Sequence, residues 1–132
     1  MRTFKNQEKN MMTKHLINCP QFIAGDKSHL REILNPRKEN LKINYSLAWA
    51  KVAPGEKTLP HRLKATEVYF IIKGDGRMHV NNEEKLVRKN DTVHIPPDTA
   101  QYIENIGKGN LEFLCIVDPA WQPEIERIIV KC

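Results

Sequence analysis

From Leu41 to Asp118 the chain runs in short apolar stretches, each closed by a turn-forming residue roughly every 8 to 12 positions. Punctuation that dense leaves no room for ordinary helices and demands a sandwich or barrel of short strands. LKINYSLAWAKVAPG places Ile43, Tyr45, Leu47 and Trp49 on one face and stops at Pro54-Gly55. TEVYFIIKGDGRMHV divides into two β-rich runs about Lys73-Gly74-Asp75-Gly76, a hairpin signal, and VNNEEKLV carries Asn81-Asn82 as a further turn. TVHIPP, QYIENI and LEFLCIVDP complete the series. Periodicity alone does not choose between sandwich and barrel.

Outside that region the signals are sparser. Residues 1–12 are polar with Met11 and Met12 behind them, which predicts a disordered extension, with 13–132 as one domain. In FIAGDKSHLREILNP a Gly-Asp turn precedes Leu30, Ile33 and Leu34, whose spacing suits a helical turn or a strand. The tail AWQPEIERIIV, with Ile125, Ile128 and Ile129, predicts a short helix or an extended arm.

Composition removes several classes of function. At 132 residues, 40% hydrophobic and 28% charged, the chain suits a single soluble core. No apolar run approaches the roughly 18 residues of a membrane span, and the basic start has no apolar stretch behind it, so the expected location is cytoplasmic. Cys19, Cys115 and Cys132 lie far apart in odd number, against a disulfide framework or zinc ribbon. The net charge of +5 is spread among acids rather than gathered into a basic stripe with aromatics, so no nucleic-acid partner is expected.

Two blocks carry the candidate chemistry. In PGEKTLPHRLKATEVYFIIKG the order is Gly55, five residues, His61, one residue, Leu63, three residues, Glu67, six residues, Gly74. In NDTVHIPPDTAQYIEN, Asn90, Pro96, Asp98, Gln101 and Asn105 follow at intervals of six, two, three and four. The pair resembles the two motifs of the cupin family, with Leu63 where the family has its second histidine and Asn90, Asp98 and Gln101 in place of Gly, Gly and His. LPHRLKATEVYFIIKGDGRMHV with IPPDTAQYIEN and LCIVDPAWQPE is further similar to a small microbial subgroup called mannose-6-phosphate isomerase-like. The resemblance implies an all-β double-stranded β-helix, a jelly-roll barrel, opening with a strand near Gln21 to Leu34. It also implies a divalent transition metal at His61, Glu67 and Gln101, with Leu63 unable to contribute and a neutral amide a poor donor.

Read by residue chemistry, His61 and Glu67 are the candidate catalytic pair, and equally a hydrogen-bonded polar pair that Gln101 joins. His79 and His94 are strand histidines, read as satisfied or surface residues. Tyr45, Trp49, Leu63, Tyr69, Met78, Ile103, Phe113 and Cys115 are expected to fill the barrel or wall a pocket, with Cys115 inert in apolar surroundings. The leading expectation is a small-molecule-binding cupin, with or without a weak metal. The alternatives are a metal-dependent isomerase, lyase or dioxygenase on a small polar substrate, and a metal-free enzyme using His61 and Glu67. A homodimer is expected, joined through the N-terminal strand and the apolar tail, because a short barrel has sheet edges to cover.

Overall fold

The computed structural model describes residues 11–130. The extension expected at 1–12, apart from Met11 and Met12, and Cys132 therefore lie outside the described residues. The described residues form eleven strands: β1 (Gln21–Ile23), β2 (His29–Leu34), β3 (Ser46–Val52), β4 (His61–Leu63), β5 (Thr66–Lys73), β6 (Asp75–Val80), β7 (Glu83–Arg88), β8 (Thr92–Ile95), β9 (Gln101–Asn105), β10 (Leu111–Asp118) and β11 (Glu126–Ile128). One sheet has the order β1-β2-β3-β10-β5-β8 and the other β11-β4-β9-β6-β7, every pair antiparallel. This is the jelly-roll barrel that the motifs imply.

Alternation decides which residues meet inside. In β10, Leu111, Phe113, Cys115 and Val117 are buried while their neighbours are not; Gln101, Ile103 and Asn105 do the same in β9, and Glu67, Tyr69 and Ile71 in β5. A main core forms around Ile71, Met78, Ile103, Leu111 and Phe113, and a smaller cluster of Leu63, Ala65 and Val117 packs against Trp121 and Ile125.

The turn chemistry of the two motifs is conformational. Gly55, Gly74, Asn90 and Asp98 all take positive φ, at 78°, 94°, 77° and 59°. Asparagine and aspartate are the non-glycine residues that tolerate this region best, which explains how they stand in for the family's glycines. Asn105 closes the second motif by donating from Nδ2 to the carbonyls of Val52 and Gly109, each at 2.8 Å.

Two expectations are corrected here, the hairpin at Gly74 and the inward placement of Tyr45 and Trp49. Gly74 does not turn a hairpin: β5 and β6 belong to different sheets, so the chain crosses the barrel at that corner, whereas Asn81-Asn82 does join the paired β6 and β7. Tyr45 and Trp49 are not on the inner face. β3 starts only at Ser46, leaving Tyr45 outside it and 38% exposed. Trp49 lies on the opposite parity from the inward Ala48 and Ala50, with the Arg31 guanidinium 5.7 Å from its ring centroid and its indole N–H donating to Glu112 across 3.2 Å. The Leu30–Leu34 stretch is strand β2, and the tail is a single turn at Pro123–Ile125 followed by β11, which pairs with β4 of the same chain.

Candidate functional site

Between the main core and the smaller cluster lies a cavity of about 300 Å³ whose wall includes Tyr69, Phe113 and Cys115 from one side and Leu63, Val117 and Trp121 from the other. Most of its surface is apolar. One region is polar, and the strand register builds it. His61 on β4 faces Gln101 on β9, and Glu67 and Tyr69 follow one another on the inner face of β5.

His61, 3% exposed, donates from Nδ1 to the Leu59 carbonyl at 2.8 Å, which leaves Nε2 as an acceptor. Gln101 accepts a hydrogen bond from the Tyr69 phenol at 3.2 Å and offers its amide to Glu67. Glu67 is 6% exposed, and its Oε1 has no hydrogen-bond partner. Burial pushes its pKa up from 4.5 to about 8; the Gln101 hydrogen bond opposes this, and the nearby charges of Asp26 and Glu126 add to it. The Tyr69 phenol and the Cys115 thiol are likewise held well above their ordinary values, chiefly by burial and then by the Glu67 charge. Both stay protonated, and Cys115 is a poor nucleophile.

Two site residues escape sequence reasoning. Asp26, in the β1–β2 turn, places Oδ2 3.9 Å from His61 Nε2, while its Oδ1 accepts from the Ser28 amide at 3.0 Å and hydroxyl at 2.7 Å. Glu126, the first residue of β11, pairs with Leu63 and lines the same cavity. Burial raises its pKa, as does the Asp26 charge, against His61 and a hydrogen bond from Trp121. The Gly-Asp turn was visible as a turn, but nothing local ties it or the tail to His61.

A family model for the cupin domain matches residues 48–117, more than half of the chain. The chain belongs to the cupin family. This cupin is 40% identical over 109 residues to an uncharacterised protein of Methanocaldococcus jannaschii, covering 82% of this chain and 86% of that one. The oxalate-binding protein of Thermotoga maritima is 29% identical over 68 residues, 51% of this cupin and 56% of that protein. In fold, the cupin superposes on a polyketide cyclase of Streptomyces resistomycificus with a TM-score of 0.76 at 14% identity, covering 93% and 88% of the two chains.

The metal implied by the family resemblance does not fit the side chains of this cupin. Leu63 has no donor atom, and the Gln101 amide is already shared between Tyr69 and Glu67. Among the described residues no group of three or more His, Cys, Asp or Glu is arranged to hold a metal ion. His61, Glu67, Leu63, Tyr69, Phe113 and Cys115 do line one cavity, with Gln101 behind them. Met78 and Ile103 instead belong to the core beneath it. His94 is exposed, and His79 stacks on Tyr102 at 4.0 Å, away from the cavity.

Proposed function

We propose that this cupin binds a small organic molecule in the cavity between its sheets, without a metal ion holding it. The observation that carries this reading is the cavity itself: about 300 Å³, largely apolar, with a few buried polar groups converging at one region. That is the usual make-up of a small-ligand site. The named ligand of the Thermotoga relative, oxalate, is a dianion, and it suits this wall poorly because Asp26, Glu67 and Glu126 all face the cavity.

A calorimetric screen of small metabolites against wild type and Ala48→Phe tests the reading. Ala48 lines the cavity, and a phenyl ring there fills it. Binding to wild type that disappears in a folded Ala48→Phe supports the proposal; binding that survives the substitution overturns it.

A second reading is favoured by one pairing. Glu67 is held neutral at neutral pH and His61 presents a free acceptor, so a general acid and a general base line the same cavity, as a metal-free enzyme would need. Turnover lost in both His61→Ala and Glu67→Gln, with ligand binding retained, would establish it.

The same account takes the protein as a homodimer. β1 is the terminal strand of its sheet, with Phe22 and Ile23 46% and 55% exposed, so its outer edge offers a pairing surface. β2 and β11 already pair with β3 and β4 of the same chain, so β1 is the edge that supports this reading best. Light scattering should give about twice the 15.3 kDa chain mass; a value near 15.3 kDa would contradict it.

A further inference from the structure

The charged groups around the cavity are unequally distributed. Asp26, Glu32, Glu67 and Glu126 line it from the acidic side, and among the described residues Lys38 and His61 are the only basic ones on its wall. Lys38 is already committed: its Nζ is 2.7 Å from Glu32 Oε1, so that pair cancels. His61 spends its Nδ1 proton on the Leu59 carbonyl and turns an acceptor toward the cavity. What remains toward the cavity is mainly acceptors, Asp26, Glu126 and His61 Nε2, beside Glu67, which keeps its proton at neutral pH in the protein alone.

Four of those groups lie on this wall and are incompletely used: Glu67, His61, Asp26 and Glu126. Glu67 Oε1 is buried without a partner in a residue only 6% exposed. An unpartnered buried carboxylate oxygen is costly, and a native site tolerates it where something else supplies the donor. His61 Nε2 is 3.9 Å from Asp26 Oδ2, beyond hydrogen-bond distance, which leaves a gap between them that a donor can bridge. Glu126 comes close to the same turn: a Cβ on Gly25 would stand 3.2 Å from its Oε2, so the absence of a side chain at Gly25 makes room for that carboxylate.

We propose that the ligand is an organic ammonium ion, a primary or secondary amine on a compact apolar body. This rests on the reading of the cavity as a ligand site and names the ligand class. An ammonium group carries only donors and a positive charge, the complement of Asp26, Glu126 and His61 Nε2, and its charge favours loss of the proton from Glu67, which then accepts as well. The apolar body is required by the rest of the wall, where the side chains of Leu30, Ala50, Phe113 and Val117 offer contact but no hydrogen bonds. At about 300 Å³ the cavity accepts a molecule on the order of ten non-hydrogen atoms. A carboxylate or phosphate ligand would face three carboxyl groups with Lys38 already paired. A bare metal ion would leave the apolar wall unused, and the donors are not arranged around a common point.

The test uses three probes of one shape and different charge: phenethylamine, phenethyl alcohol and phenylacetate, titrated calorimetrically into the full chain at neutral pH. The amine is expected to bind at least about tenfold more tightly than either of the others. Asp26→Asn and Glu67→Gln should each shrink that preference while keeping the affinity for the alcohol, and Ala48→Phe should abolish binding of all three. Alcohol or carboxylate binding as tight as amine binding, lost in Ala48→Phe, would overturn the ammonium class and leave the cavity as the site. Amine binding unchanged by Ala48→Phe would place it elsewhere and overturn the proposal. Failure of all three probes to bind wild type would overturn both the ligand class and the reading beneath it.

Discussion

The Tyr69 phenol donates to Gln101 Oε1 across 3.2 Å, at the position where the cupin motif has its last histidine. The amide that replaces an imidazole is thus a bridge, taking a proton donor on one side and giving one to Glu67 on the other. Gln101→Leu removes the bridge and leaves both partners buried and unsatisfied. We expect it to cost about 2 to 4 kcal/mol in chemical denaturation, more than Gln101→Glu at acidic pH, where a protonated carboxyl can still serve both partners.

Stability should fall as pH rises through the neutral range. Glu67 titrates near 4.5 when unfolded and at about 8 in the fold, so between those values the native state binds the extra proton. The stability this contributes is complete below 4.5 and is lost as pH climbs through about 8. Denaturation midpoints measured from pH 5 to pH 9 should decline for wild type by an amount on the order of a few kcal/mol, with Glu67→Gln markedly flatter. Some decline should persist in that variant, because Glu126 is raised in the same direction.

The left-handed corners should rank by space. A Cβ on Gly74 would stand 2.6 Å from the Asn110 carbonyl oxygen and 2.9 Å from Leu111 Cα, on top of a φ of +94°. One on Gly55 would meet nothing within 4 Å, at a φ of +78°. Gly74→Ala should therefore cost more than about 2 kcal/mol and Gly55→Ala about 1 kcal/mol. Asn90→Gly should be close to neutral, since its φ of 77° suits glycine. Urea midpoints compare all three.

Ligand entry should be seen by one tryptophan and missed by the other. Trp121 lines the cavity and Trp49 lies outside it beneath Arg31. Any ligand-induced change in fluorescence should survive Trp49→Phe and vanish in Trp121→Phe. The reverse pattern would place the ligand outside the cavity described here.

The barrel was legible in the sequence because its signals are local. Strand alternation, the Asn81-Asn82 turn and the spacing of Gly55, His61, Glu67, Gly74, Pro96 and Asn105 each act within a few residues, and the structure uses them so. Gly74 was legible as a turn but not as a corner between sheets, since both need the same positive φ. The parity of β3 was ambiguous because both faces are apolar: the larger Leu47 and Trp49 suggested the inside, yet the small Ala48 and Ala50 face it and leave the cavity its volume. Asp26 and Glu126 were not legible as site residues. They reach His61 through the β1–β2 turn and the β4–β11 pairing, contacts between distant segments that no local pattern announces.

Metal independence is the claim most directly open to contradiction, and elemental analysis of protein purified without chelator or affinity metal measures it. Leu63→His combined with Gln101→His, which rebuilds the family's donor set beside His61 and Glu67, serves as the comparison. The account predicts far less than one transition-metal ion per wild-type chain and about one in the rebuilt variant. About one ion per wild-type chain, lost in both His61→Ala and Glu67→Ala, would contradict it.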